Sequence, residues 1–170
     1  MLLGWPGFGL NPADPSIKSL DDLYQSVLRL IDRPVDLVAQ SMGGVLALRA
    51  ALDAPGLVRH LVLTATSGGV DVSRFGASDW REQHRRNRPS APDWFVRDQS
   101  DFSSRLSEVK APALLIWSDA DPISPLGIGR YLMATLPRAE LVIVPGAGHM
   151  FARDRAEEVA PHVERHLLAP

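Results

Sequence analysis

A serine stands where an apolar run gives way to a segment rich in glycine, alanine and leucine. Ser41 lies in Asp36-Leu-Val-Ala-Gln-Ser-Met-Gly-Gly-Val-Leu-Ala47, a pattern that predicts a buried strand followed at once by a helix. The small residues Ala39 and Gly43, two before and two after the serine, fit a corner too tight for larger side chains. A serine held at such a corner can act as a nucleophile. The N–H of Met42, at the start of the helix, would then stabilise the oxyanion that forms.

A nucleophilic serine needs a base, and an imidazole base needs a carboxylate that fixes its tautomer. His149 lies in a glycine-rich loop after the last apolar run, and Asp119 and Asp121 follow the run before it. We predict that Asp121, which precedes a proline in an extended bend, orients His149, whereas Asp119 caps the turn. Asp71, beyond the turn at Ala65–Gly69, is a third carboxylate that follows a predicted strand.

Short apolar runs alternate with helix-like segments along the chain. The runs predict buried parallel strands at Met1–Gly4, Val35–Gln40, Val58–Ala65, Ala113–Trp117 and Leu141–Val144. Helices are predicted over Ser19–Asp32, Met42–Asp53 and Ser124–Leu136, and from about Asp154 onward. For the third helix, Ser124 is the predicted N-cap and Pro125 the first helical residue. The alternation predicts an α/β fold, a mostly parallel open sheet with helices on both faces, whose chemistry gathers at the carboxyl ends of the strands.

The stretch of about 68–109 interrupts this alternation, because it is rich in Arg, Trp, Ser and Pro and shows no clear period. We interpret it as a short lid on a single domain that spans 1–170. Trp80, Trp94 and Phe95 would line an apolar substrate pocket or only anchor the lid to the core. Four arginines between 80 and 88 form a solvated helix face, or else a docking site for an anionic substrate tail or an acidic carrier protein.

From Ser41 onward the chain resembles the α/β-hydrolase superfamily, in which the nucleophile, the acid and the base follow one another in this order. The resemblance implies a catalytic triad of Ser41, His149 and Asp121, with one oxyanion-hole N–H from Met42. It implies acyl transfer to the serine followed by hydrolysis, without a cofactor, on a small carboxylic ester, as in a carboxylesterase. Two departures are Ala39, where many members have glycine, and Ser118, where glycine often precedes the acid.

The first residues depart further from the family pattern. Gly4-Trp-Pro-Gly-Phe-Gly9 resembles either the His-Gly-x-Pro-Gly loop after the third strand, which donates the second oxyanion-hole N–H, or the Pro-Gly-x-Gly segment after the fourth. The spacing to Ser41 favours the second alignment, which implies a truncated α/β-hydrolase fold without the first three strands. We then expect Met1–Gly4 to pair parallel to Val35–Gln40, with the N–H of Trp5 as substitute donor.

Two alternatives to that arrangement remain open. A partner chain could supply the strand. Otherwise the oxyanion hole is incomplete, which predicts a non-catalytic or nearly inactive hydrolase-fold binding protein. Independently of this, the absent strands would leave an unpaired edge or exposed apolar surface on that side, where we predict a homodimer.

Composition excludes several other classes of function. The chain has no cysteine, which excludes a disulfide framework, a thiolate metal site and a cysteine nucleophile. Its formal charge of −2 argues against nucleic-acid binding. His162 and His166 are four residues apart on a predicted helix but have no third ligand, so no metal site is predicted. Without a signal-peptide pattern or a membrane-length apolar run, we expect a cytoplasmic protein with no membrane partner and a small-molecule substrate.

Overall fold

Four parallel strands form one sheet in the computed structural model, which describes residues Met1–Ala169. The strands are β1 (Val35–Gln40), β2 (Val58–Thr64), β3 (Ala113–Ser118) and β4 (Ala139–Val144), in spatial order β1-β2-β3-β4. The predicted α/β class is therefore confirmed, and the strands from residue 35 onward lie within two residues of their expected bounds. All six residues of β3 are buried, as expected of a central strand covered on both faces.

The predicted strand at Met1–Gly4 is wrong. These residues have no strand structure, and within residues 1–169 β1 pairs with β2 alone. The apolar run is only three residues long before Gly4, and the chain then turns, with the Phe8 N–H donating to the Trp5 oxygen at 3.1 Å. A strand so short forms few ladder hydrogen bonds against the entropy of ordering it. β1 is consequently an edge strand of this sheet.

Seven α-helices accompany the sheet: α1 (Leu20–Leu28), α2 (Met42–Asp53), α3 (Arg81–Asn87), α4 (Trp94–Arg97), α5 (Leu126–Thr135), α6 (Phe151–Asp154) and α7 (Ala156–Leu167). Two 3₁₀ turns span Val72–Phe75 and Ser103–Glu108. None of the helices among the described residues is long and apolar enough to cross a membrane.

The signals that begin and end the helices were predicted with mixed success. Ser19 caps α1 by accepting a hydrogen bond from the Asp22 N–H at 3.0 Å. The predicted cap of α5 is wrong by one residue, because Pro125 is the N-cap. The Ser124 hydroxyl instead donates to the Thr66 oxygen at 2.8 Å and accepts from the indole N–H of Trp117 at 2.9 Å. Because these buried groups bind its hydroxyl, Ser124 does not cap the helix.

The described residues group into two units by their contacts. One unit contains Met1–Leu30 and Asp79–Gln99, and the other contains Ile31–Ser78 and the chain from Ser100 onward. The first is the smaller unit and holds α1, α3 and α4. The second is the larger unit and holds the whole sheet. The proposed lid of 68–109 is thus divided between the units, and the single domain over 1–170 stays a prediction.

One buried apolar cluster of the larger unit lies where α6 and α7 pack on the sheet. The residues of this cluster are Val62, Ala65, Leu114, Ile116, Val144, Ala147, Phe151 and Val159. At about 25 cal/mol per Å² of apolar surface, burial of each large member stabilises the fold by roughly 1.5–3 kcal/mol. Such packing makes β2, β3 and β4 a rigid support for the loops at their carboxyl ends.

Candidate active site

Ser41 stands between β1 and α2 in a backbone conformation rare for a residue with a side chain. Its φ is 53° and its ψ is −124°, a geometry that costs on the order of 1–3 kcal/mol. Two hydrogen bonds hold it there: its N–H donates to the Thr64 oxygen, and its carbonyl accepts from the Gly44 N–H, both at 3.0 Å. Although serine is a common N-cap, the Ser41 hydroxyl does not cap α2. The hydroxyl lies 3.1 Å from Nε2 of His149.

Helix α2 can start at this corner because glycine lets it approach the end of β2. A Cβ on Gly44 would lie 2.6 Å from the side chain of Thr66, closer than real atoms come. Any larger residue would force α2 away from the sheet and carry Ser41 with it. The glycines after the serine therefore fix its position as well as permitting the turn.

Asp121 is the carboxylate that the structure brings to His149. Its Oδ2 lies 2.8 Å from the imidazole Nδ1, and its side chain has no solvent exposure. Its Oδ1 accepts hydrogen bonds from the backbone N–H groups of Ile123 at 2.9 Å and Ser124 at 3.2 Å. The two carboxylate oxygens thus contact different partners. Turning the carboxylate out of this orientation would break its hydrogen bonds to both backbone N–H groups.

These contacts set the tautomer of His149. A carboxylate can only accept hydrogen bonds, so Nδ1 carries a hydrogen and donates it in the bond to Asp121. Nε2 is then the ring atom with a free lone pair, and it is the atom that faces the Ser41 hydroxyl. The arrangement can take a proton from the serine as its oxygen attacks a substrate, and return it to a leaving group.

The loop that carries His149 is tied to the end of β3 by two side chains. The Ser118 hydroxyl donates to the Ala147 oxygen at 2.6 Å and accepts from the Ala147 N–H at 3.1 Å. Asp119 accepts from the Gly146 N–H at 2.7 Å. Of the two neighbouring carboxylates, Asp119 therefore holds the loop and Asp121 contacts the imidazole. The third candidate, Asp71, accepts from the N–H and hydroxyl of Ser73 at the start of a 3₁₀ turn.

Two backbone N–H groups, those of Met42 and Trp5, were predicted to form an oxyanion hole. Met42 is the first residue of α2, so its N–H has no carbonyl partner within the helix and remains available to a ligand beside Ser41. Trp5 belongs to the smaller unit, where its carbonyl accepts from Phe8. Its role as a second donor stays a prediction.

The aromatic residues predicted to line a pocket pack against one another within the smaller unit. The ring centroids of Trp80 and Phe95 lie 5.0 Å apart, and Trp94 is buried. Phe8 and His84 complete this cluster, with centroids 5.3 Å and 5.2 Å from that of Phe95. This association was not evident from the sequence, because Phe8 is far from the others along the chain. A role in substrate binding stays a prediction.

The arginines of α3 are mostly engaged with acidic neighbours. Arg81 pairs with Asp79, Arg85 with Asp93 and Arg86 with Glu82, at 3.3–3.7 Å. Pairs this exposed are worth little to stability, but they neutralise much of the positive charge that a docking site would need. This favours the solvated helix face over the docking site.

No metal site is visible at the two histidines of α7. His166 is buried, with its Nε2 3.3 Å from the Pro112 oxygen and its Nδ1 3.7 Å from Glu140. Over residues 1–169, no group of three or more histidine, aspartate or glutamate side chains is arranged to hold a metal ion.

Sequence comparison identifies hydrolases among the relatives of this chain. It is 27% identical, in an alignment 192 residues long, to the pimeloyl-[acyl-carrier protein] methyl ester esterase of Nitrosomonas europaea. The alignment covers 85% of this chain and 75% of that protein. It is 36% identical over 116 residues to a 2-hydroxy-6-oxononadienedioate/2-hydroxy-6-oxononatrienedioate hydrolase of Pseudomonas putida, covering 60% of this chain and 41% of that one.

Structural comparison supports the same fold. A hydrolase from Pseudomonas aeruginosa PA01 superposes with a TM-score of 0.75 at 22% identity, covering 96% of this chain and 77% of that one. A thermophilic esterase from Thermogutta terrifontis gives a TM-score of 0.72 at 23% identity, covering 95% and 76%. The sequence profile of the alpha/beta hydrolase family matches residues 2–107 and 71–162. The resemblance inferred from the order of Ser41, Asp121 and His149 is thereby confirmed: the chain belongs to the alpha/beta hydrolase family.

Proposed function

We propose that the protein is a serine hydrolase that cleaves a small carboxylic ester through an acyl-enzyme on Ser41. The observation that carries this proposal is the continuous contact from Asp121 Oδ2 to His149 Nδ1 at 2.8 Å and from His149 Nε2 to Ser41 Oγ at 3.1 Å. A buried carboxylate, an oriented imidazole and a serine on a strained turn are the parts that acyl transfer requires.

In the proposed reaction, Ser41 Oγ attacks the ester carbonyl carbon while His149 Nε2 takes the hydroxyl proton. The N–H of Met42 donates to the carbonyl oxygen as it becomes negative. The tetrahedral intermediate collapses, and the alcohol leaves with the proton from Nε2. Water then attacks the acyl-enzyme by the same route, giving up a proton to Nε2, and releases the acid and the free serine.

The relatives support an ester as the substrate and also give a second candidate. The name of the Nitrosomonas europaea protein specifies a methyl ester esterase, and we carry that bond type to this chain as a proposal. The local 36% identity to the Pseudomonas putida hydrolase favours, as the second candidate, hydrolysis of a carbon–carbon bond beside a ketone. Both reactions use an activated serine and histidine on this fold, so the fold does not choose between them.

The first test is covalent labelling of the purified protein with a fluorophosphonate, followed by intact-mass measurement. An activated serine gives one adduct, and Ser41→Ala removes it. Ser90→Ala, at an exposed serine of the smaller unit, is the matched control and keeps the adduct.

Turnover of p-nitrophenyl acetate and of a 2-hydroxy-6-oxo-dienoate then separates the two candidates. Hydrolysis of the ester alone supports the esterase, and preference for the dienoate supports the second candidate. Absence of both the adduct and turnover would refute the proposal in favour of a non-catalytic binding protein.

A further inference from the structure

Gln40, the residue directly before Ser41, makes a hydrogen bond to the residue that carries the base. Its side-chain Nε2–H donates to the main-chain oxygen of His149 at 2.9 Å. The same nitrogen lies 3.7 Å from the sulfur of Met150. Gln40 is the last residue of β1 and is half-buried. The contact thus joins the strand that ends at the nucleophile to the loop that presents the imidazole, across 109 residues of sequence.

The other side chains that bind the main chain of this loop do so before His149. Arg155 donates to the oxygens of Pro145 and Gly146 at 2.9 Å and 3.4 Å. Ser118 and Asp119, at the end of β3, bind Ala147 and Gly146. Between these anchors and the base lies Gly148, beside which a Cβ would meet only open space. The Phe151 N–H donates to the Gly148 oxygen at 3.1 Å, but glycine, which lacks a Cβ, restricts the backbone beside His149 less than a larger residue would. Gln40 is the side chain that binds the main chain of His149 itself.

We propose that Gln40 is a positioning residue that sets the distance between Ser41 Oγ and His149 Nε2, an inference that rests on the function proposed above. Asp121 restrains the imidazole through Nδ1, at the opposite side of the ring from Ser41. A ring held only at Nδ1 can swing about that contact and lengthen the 3.1 Å separation at Nε2. Gln40 removes this freedom by fixing the His149 backbone to β1, whose next residue is the nucleophile.

The expected effect follows from the geometry that proton transfer needs. A displacement of about 1 Å at reacting atoms costs on the order of 100-fold in rate. Without the Gln40 hydrogen bond, the remaining contacts still hold the loop, so the average displacement of His149 should be smaller than about 1 Å. We therefore expect kcat to fall about tenfold. The proposed role of Gln40 involves no contact with the substrate, so KM should stay within about twofold.

Two variants test the inference. Gln40→Met keeps a side chain of similar length and removes the donor, and Gln40→Glu keeps the shape but turns an oxygen toward the His149 oxygen. Gln25→Met, at an exposed glutamine of α1, is the matched control. For each protein we would measure kcat, KM, the rate constant of fluorophosphonate labelling and the final fraction labelled.

A fall of about tenfold in kcat and in the labelling rate constant, with complete final labelling and an unchanged control, supports positioning. A merely structural role would lower the final fraction labelled and leave the rate constant of the folded remainder unchanged, which overturns the inference. Rate constants within twofold of the unsubstituted protein for the variants that fold also overturn it. If Gln40→Met does not fold, Gln40→Glu decides. If the unsubstituted protein is not labelled, the proposed function fails and this inference fails with it.

Discussion

Replacing Asp121 with asparagine tests the proposed site at the point where the structure constrains the outcome most. Asparagine has the shape of aspartate but one oxygen becomes an NH₂ group. Its oxygen can keep the two backbone N–H donors of Ile123 and Ser124, and the NH₂ group then faces Nδ1 of His149. In that orientation Nδ1 must accept and Nε2 must carry the proton, so the ring can no longer take a proton from Ser41.

The opposite orientation of the asparagine is costly. It would point the NH₂ group at two backbone N–H groups in a buried site, leaving both donors unsatisfied. Each such loss costs about 1–3 kcal/mol, or about 2–6 kcal/mol together. The wrong tautomer of His149 therefore predominates, and we expect kcat to fall by about the 10⁴-fold measured for this loss in the serine protease template.

The assay is steady-state hydrolysis of p-nitrophenyl acetate, with Asp119→Asn as the matched control. Asparagine at 119 can still accept from the Gly146 N–H through its oxygen, so kcat should change by less than about tenfold. Thermal unfolding of each variant would verify that it folds. A larger loss at 119 than at 121, or an Asp121→Asn enzyme within tenfold of the unsubstituted one, would refute the assignment of the acid.

Three other outcomes are expected. Ser41→Ala and His149→Ala should each lower kcat about 10⁴–10⁶-fold without compounding in the double variant, because the two residues act as a unit; esterase activity surviving in purified Ser41→Ala would contradict the mechanism. Burial and the nearby charges of Arg88 and Arg85 lower the pKa of His84. The unfolded chain therefore takes up a proton at this histidine near pH 6.5, whereas the folded chain does not. The free energy of unfolding should consequently fall as the pH drops below about 6.5. Urea denaturation at about pH 7 and pH 5.5 would check this, with a shallower dependence expected for His84→Gln. We further propose a homodimer through the edge of β1, where Val38 is 57% exposed; light scattering should give twice the chain mass and Val38→Lys the single mass, whereas a strictly monomeric unsubstituted protein would exclude it.

The sequence was informative wherever the physical requirement is local. The small residues around Ser41 are demanded by the turn itself, and the order of strands and helices follows from the spacing of apolar residues. The choice of Asp121 over Asp119 rested on the neighbouring proline. Asp121 lies 2.8 Å from His149, and its role as the catalytic acid stays a prediction. These features depend on a few neighbours in the chain.

The features that sequence did not predict depend on partners far along the chain. Gln40 meets His149 across 109 residues, and no local pattern encodes that pairing. The available signal was a polar side chain at the end of a strand that is apolar except for Asp36. Ser118 was noted as a departure from the family, yet its buried bonds to Ala147 follow from how the end of β3 packs against the loop before His149. Met1–Gly4 has an apolar composition typical of a strand, but a strand also needs a partner edge and enough length.

The edge position of β1 affects how the molecule should lose activity on warming. Local opening in proteins begins where few backbone hydrogen bonds and little buried apolar surface hold an element. β1 has a single neighbour and no fully buried residue, whereas β3 is bonded on both sides and buried throughout. The nucleophile is thus carried by the least protected strand, and the acid by the best protected one. Partial opening at β1 would separate Ser41 from His149 before the remaining sheet melts, so inactivation would precede global unfolding.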